Sequence, residues 1–136
     1  MAQSMNDTRR YAIIGCGMMG REHMQNLALV PEAELVAIAD PDAGSRAEAE
    51  AYAAKLGQTV SLYEDSEAML AQAKPDAVII ASPNFTHFDV VKPVMDAGCA
   101  VLLEKPMCTI LEDAAALEQA AHEYDNLFWV GLEYRY

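Results

Sequence analysis

The stretch Tyr11-Ala12-Ile13-Ile14-Gly15-Cys16-Gly17-Met18-Met19-Gly20 sets a short apolar run directly against three glycines spaced G-x-G-x-x-G. The run reads as a strand, and glycines at that spacing turn a strand sharply into a helix. Gly15 allows the tight turn, Gly17 lets main chain approach a pyrophosphate with no side chain in the way, and Gly20 lets the helix pack closely on the strand. The unpaired N–H groups and positive dipole end of the helix then face the phosphates. Glycine-rich turns are common, so the flanking sequence decides the weight of the motif. Met24, Leu27 and Ala28 fall on one face of the following helix, and a second apolar run, Leu35 to Ala39, ends in Asp40. That aspartate stands about twenty residues past the last glycine, where an acid accepts hydrogen bonds from a ribose.

The alternation continues along the chain. Residues 42–56 read as an Ala- and Glu-rich helix, with Ala43, Ala47, Ala51 and Ala54 at helical spacing and Gly57 as its cap. Thr59-Val60 reads as a weak third strand. Asp65 caps a helix through about Ala73 that buries Met69 and Leu70, and Pro75-Asp76 ends it. Ala77 to Ala81 is apolar at every position, as expected of a central parallel strand covered on both faces, and it stops at Ser82-Pro83-Asn84. A helix to Met95 follows, kinked or delayed by Pro93 and closed by Gly98. Ala100 to Leu103 is a fifth strand running into Glu104-Lys105-Pro106. Thr109 and Glu112 read as a capping box for a helix to about Tyr124, and Leu127 to Val130 as a sixth strand with Trp129 in the core.

Short strand–helix–strand connections demand right-handed crossovers, which gives an α/β fold with a doubly wound parallel sheet, the Rossmann fold. Ligands of such sheets lie beyond the carboxyl ends of the strands, at the switch in strand order. Gly15 to Gly20, Asp40, Ser82 to Asn84 and Glu104 to Pro106 should therefore converge on one crevice.

A chain of 136 residues is about one domain, read as a polar tail over 1–10 and a dinucleotide-binding domain over 11–136. The formal charge of -12 argues against a nucleic-acid or anionic-membrane partner. No apolar run approaches the ~20 residues of a membrane span, and the tail lacks the apolar core of a secretion signal, so a cytoplasmic location is expected. Cys16, Cys99 and Cys108 are odd in number, against a disulfide framework, and no pair has the spacing of a zinc site.

Gly98-Cys99-Ala100-Val101-Leu102-Leu103-Glu104-Lys105-Pro106 resembles the glucose-fructose oxidoreductase, inositol dehydrogenase and MocA-like (Gfo/Idh/MocA) family of NAD(P)-dependent oxidoreductases. The resemblance extends to Ala39-Asp40-Pro41-Asp42, to Ser82-Pro83-Asn84 with His87 following, and to Val130 through Tyr136. It implies hydride transfer between a nicotinamide ring and a sugar, cyclitol or related alcohol. It also implies a second, substrate-binding domain that often builds homo-oligomers. This chain stops about where that domain would begin, which suggests an isolated cofactor domain, inactive or nearly so alone.

The resemblance makes Lys105 the catalytic residue, reaching the nicotinamide and the reacting hydroxyl, with Glu104 as its orienting partner. The cofactor set is Gly15, Cys16, Gly17, Met18, Met19, Gly20, Asp40, Ser82, Pro83, Asn84, His87, Glu104 and Lys105. The Asp40 charge opposes a 2'-phosphate, which favours NAD over NADP; Arg46, close in sequence, reads as a surface residue. Asn84 is either a contact for the nicotinamide half or a helix N-cap. His87 is either a proton shuttle or a packing residue, with packing preferred. Cys16 reads as a small apolar filler rather than a nucleophile, although the helix N-terminus could lower its pKa. His23 and His122 read as surface or packing residues, and Tyr134 and Arg135 carry no assigned role. A stand-alone NAD(H) sensor and an S-adenosylmethionine-dependent methyltransferase are the competing readings. A sensor has no chemical use for Lys105, and the strand order speaks against the methyltransferase.

Overall fold

The structure, a computed structural model, describes residues 7–132. Its strands are β1 (Arg9–Ile14), β2 (Ala33–Ala39), β3 (Ser61–Tyr63), β4 (Ala77–Ile80), β5 (Ala100–Glu104) and β6 (Phe128–Gly131). Its helices are α1 (Met18–Leu27), α2 (Ala43–Lys55), α3 (Ser66–Ala73), α4 (His87–Asp96) and α5 (Leu111–His122), with a 3-10 turn over Asn84–Thr86. All strand pairs are parallel, in the order β3-β2-β1-β4-β5-β6. This is the doubly wound arrangement expected from the sequence.

The all-apolar strands follow from two covered faces. Successive side chains of a strand point to opposite sides. Ala12, Ile14, Val78 and Ile80 thus meet Met69, Leu70, Val91, Val94 and Leu117 from α3, α4 and α5. Ile13, Ile38 and Ile79 meet Met24 and Leu27 of α1 and Ala49 and Ala53 of α2 on the other side. Full burial of an isoleucine or methionine contributes about 1.5–3 kcal/mol, so neither face can be left open cheaply.

Helix ends are written locally. Asp42 and Asp65 cap α2 and α3, accepting from the main-chain N–H groups of Ser45 at 2.7 Å and Ala68 at 2.9 Å. Gly57 (φ +72°) and Gly98 (φ +75°) end α2 and α4. Beyond them the Gln58 N–H reaches back to the Ala53 carbonyl, and Cys99 to Val94, a closure that only a left-handed residue permits without strain.

Several sequence expectations are corrected. The first strand begins at Arg9 and not at Tyr11, the Arg9 N–H bonding the Glu32 carbonyl; residues 1–6 of the expected tail lie outside the described residues. The third strand is Ser61–Tyr63, not Thr59-Val60, because residues after Gly57 are spent closing α2. The buried stripe of α2 is Ala49 and Ala53, with Tyr52 and Leu56 packed beside them, while Ala43, Ala47, Ala51 and Ala54 are exposed. Alanines on every side of that helix allow the period to be read in the wrong phase.

Ala28 is an exposed cap residue, since α1 ends at Leu27. Thr109 and Glu112 form no capping box: the cap position is Ile110, one residue on, and Glu112 and Asp113 favour the positive end of α5 by charge alone. Pro93 sits within α4, which continues to Asp96. Trp129, expected in the core, lies on the edge strand β6 and is 46% exposed.

Candidate functional site

The sheet register brings the carboxyl ends of the strands level. Ile14 stands beside Ala39 and Ile80, and Ile80 beside Leu103. The chain continues from β1 to β2 and β3 on one side, then returns to β4 on the other, so the loops after β1 and β4 part and leave an opening. A crevice of about 800 Å3 occupies that position. Gly15, Gly17, Met18, Met19, Asp40, Ser82 and Pro83 line it, seven of the residues expected there from sequence.

The three glycines divide the work. Gly15 has φ +89°, and a Cβ there would stand 2.5 Å from the Ser82 nitrogen and 2.6 Å from the Ala81 carbonyl. A Cβ on Gly20 would overlap the Gly15 carbonyl oxygen. Gly17 has nothing within 4 Å of its Cβ position, so its missing side chain leaves room for a ligand and not for the fold. It also occupies the cap position of α1 with no side-chain cap, leaving the first N–H groups of the helix without an intrahelical partner.

Asp40 is held from three directions. Its Oδ2 accepts from the Cys16 N–H at 3.0 Å and from the Cys16 thiol at 3.4 Å, and its Oδ1 accepts from the Asp42 N–H at 2.9 Å. Cys16 is 2% exposed. Burial, then the Asp40 charge, pushes its thiol up to about 12, opposite in sign to the lowering expected from the helix N-terminus. Arg46 is not a free surface residue: it folds back to donate to the Asp40 carbonyl at 2.7 Å and the Pro41 carbonyl at 2.9 Å.

The other expected residues, Cys16, Gly20, Asn84, His87, Glu104 and Lys105, do not line the crevice, so the end of β5 does not converge on it as expected from sequence. Gly20 and Cys16 are buried behind its wall. Asn84 is exposed on the 3-10 turn and is not the cap of α4, a position Thr86 takes. His87 is fully buried, its Nδ1 2.8 Å from the Pro106 carbonyl and its Nε2 3.0 Å from the Ser82 carbonyl. The ring therefore ties the loop after β4 to the loop after β5, and the protein encloses it, as the packing reading expects. Lys105 is exposed at the end of β5, and its peptide bond to Pro106 is cis.

Glu104 lines a neighbouring cavity of about 310 Å3 with Met19, Trp129 and Gly131, and its carboxylate is 2.6 Å from Nε2 of His23. His23, expected to be a surface or packing residue, is placed by α1 one turn past Gly20, against the end of β5. His122 is a surface residue, 3.9 Å from Glu118 one turn earlier. Tyr134 and Arg135 lie outside the described residues.

The sequence reading missed the far wall of the crevice, formed by Ser45, Glu64, Asp65, Ser66, Phe85, Thr86 and Val90. Glu64 and Asp65 follow β3 directly, so a correctly placed third strand points to them by the same strand-end rule. Phe85, 76% exposed, carried the plainest signal: a large aromatic left uncovered beside a polar strand end. Among the described residues no cluster of His, Cys, Asp and Glu is arranged to hold a metal ion, and no helix is long and apolar enough to cross a membrane.

The comparisons with known proteins agree with this geometry. The Gfo/Idh/MocA profile, an oxidoreductase family with an NAD-binding Rossmann fold, matches residues 9–132. Inositol 2-dehydrogenase 1 of Saccharopolyspora erythraea is 36% identical over 117 residues, covering 85% of this chain and 33% of the relative. The NAD+-dependent scyllo-inositol 2-dehydrogenase of Bacillus subtilis is 34% identical over 128 residues, 93% of this chain and 36% of its own length. Among solved structures, the WlbA dehydrogenase of Bordetella pertussis in complex with NADH and UDP-GlcNAcA superposes with a TM-score of 0.85 at 30% identity, covering 96% of this chain and 36% of that one. The scyllo-inositol dehydrogenase of Lactobacillus casei, with NAD(H) and scyllo-inositol bound, gives 0.82 at 28% identity, covering 94% of this chain and 37% of the other. The chain spans about a third of the length of these relatives. It belongs to the Gfo/Idh/MocA oxidoreductase family, and what it contains is that family's NAD-binding Rossmann domain.

Proposed function

We propose that this chain is the cofactor half of a dehydrogenase that moves hydride between NAD and an alcohol carbon of a sugar or cyclitol. The observation that carries the reading is the crevice of about 800 Å3 at the strand ends, lined by the glycine turn and Asp40, with Lys105 at the end of β5 beyond it. NAD, when bound, supplies the hydride acceptor. Main-chain N–H groups at the start of α1 hold the pyrophosphate, and Asp40 accepts a hydrogen bond from the adenosine ribose. Lys105 serves at the nicotinamide end. Its ammonium form polarises a carbonyl, and its amine form takes the hydroxyl proton as the alcohol is oxidised.

Turnover requires the carbinol carbon to be held against the nicotinamide, a positioning effect that a cofactor domain does not provide by itself. The inositol and UDP-sugar ligands of the relatives support polyhydroxylated ring substrates for the complete enzyme. The formal charge of -12 supports the absence of nucleic-acid partners, since a phosphate backbone is repelled by most faces of so acidic a domain.

Titration with NADH and NADPH, followed by nucleotide fluorescence and checked by calorimetry, tests the reading. NADH should bind more tightly by about tenfold or more, ~1.4 kcal/mol, which lies at the low end of the repulsion between a carboxylate and a 2'-phosphate in contact. Asp40→Ala should narrow the gap. Equal affinity for both nucleotides in the unmutated chain defeats the role of Asp40, and failure of a folded sample to bind either defeats the cofactor assignment.

A further inference from the structure

Asp40 selects between dinucleotides only if its carboxylate stays in one orientation, and the geometry shows what holds it. An ionised carboxylate offers about four acceptor positions, two on each oxygen. Cys16 fills both positions of Oδ2, by its N–H and by its thiol, and the Asp42 N–H fills one on Oδ1. The remaining position is on Oδ1. The two main-chain donors come with almost any residue at those places, whereas the thiol requires a cysteine at position 16, between two glycines of the turn.

We propose that the Cys16 side chain is a positioning residue for dinucleotide choice: its thiol fixes Oδ2 of Asp40 against the glycine turn and leaves Oδ1 as the ribose acceptor. The inference rests on the reading of Asp40 as the ribose-binding acid. Two features of the site suit the thiol to this task. Cys16 is enclosed by the protein, so water does not compete for the carboxylate on that side. Burial and the neighbouring negative charge also keep the sulfur protonated, hence a donor, throughout the range in which nucleotide binding is measured. Without the thiol, Oδ2 keeps one donor and the carboxylate gains freedom to rotate. The acceptor for the ribose hydroxyl is then less well placed, and the charge that opposes a 2'-phosphate is less fixed.

A plain filling role makes a different prediction. Loss of a small buried side chain would loosen the turn on which both nucleotides rest, and would weaken NADH and NADPH alike. The ratio of the two affinities therefore separates the roles, and a double-mutant cycle with Asp40 isolates the coupling.

The experiment measures NADH and NADPH dissociation constants for the unmutated chain, Cys16→Ala, Cys16→Ser, Asp40→Ala and the Cys16→Ala/Asp40→Ala double variant. Cys16→Ala should reduce the NADH-over-NADPH preference by about three- to tenfold, the range of one hydrogen bond. Cys16→Ser, which keeps a donor, should restore most of it. In the Asp40→Ala background Cys16→Ala should leave the ratio unchanged. A ratio that ignores Cys16, or one that Cys16→Ala changes equally with and without the Asp40 carboxylate, overturns the inference while leaving NAD binding intact. An unmutated, folded chain that binds neither nucleotide overturns the functional reading, and this inference with it.

Discussion

Gly20→Ala is expected to destabilise the fold by about 3 kcal/mol or more, while Gly17→Val costs no more than about 1 kcal/mol and yet lowers NADH affinity about tenfold or more. Two glycines three residues apart thus fail in opposite ways. At Gly20 the added methyl group meets the Gly15 carbonyl oxygen, which belongs to the turn itself and has no rotamer to escape into. Alanine gains about 1 kcal/mol over glycine in helix propensity, and a backbone overlap exceeds that gain. At Gly17 an added Cβ meets no protein atom within 4 Å beyond its chain neighbours. The only loss to the fold is a poorer cap residue, and the volume removed belongs to the crevice. Denaturant unfolding and NADH titration on the same samples check the pair. Equal destabilisation by both, or undiminished NADH binding by Gly17→Val, would show that the turn is not divided in this way.

In a protein that joins this chain to a substrate-binding domain, Lys105→Ala should reduce turnover by about 10²- to 10⁴-fold, the usual contribution of a positioned acid or base. Dinucleotide affinity should remain nearly unchanged, because Lys105 is not among the residues lining the crevice. Steady-state kinetics with a cyclitol substrate, combined with NADH binding, separates the two quantities. A fully active Lys105→Ala enzyme removes the lysine from the chemistry. A variant that loses NADH affinity and turnover in parallel reassigns it to cofactor binding.

The parts of this structure that were legible in the sequence are those fixed by short-range rules. The glycine turn, the Asp65 cap of α3 and the apolar run of β4 each declare themselves within a few residues. The less legible parts depend on partners distant in the chain. His23 and Glu104 are 81 residues apart, and only the folding of α1 over β5 makes them neighbours. Arg46 reads as a surface side chain until the reversal between β2 and α2 turns it back onto the carbonyls of Asp40 and Pro41. His87 is a polar residue at full burial because two carbonyls, one on each strand-end loop, replace water. In α2 the failure was of phase, not of element: a helix made largely of alanine carries its own length but not its own orientation.

The crevice we assign to the pyrophosphate is lined by Asp40, Asp42, Glu64 and Asp65, and by no lysine or arginine among its lining residues. The whole chain carries a formal charge of -12. A dinucleotide therefore approaches against the field, and attraction begins only where the main-chain N–H groups come within contact range. Salt ordinarily slows the capture of phosphates by screening the pull toward a basic surface. Here it screens a repulsion with a reach of about 8 Å at physiological ionic strength, so encounters quicken as salt is added. The domain gives up long-range steering and relies on close fit, a form of recognition that discriminates by shape at the last few ångströms and gains little from charge on the way in.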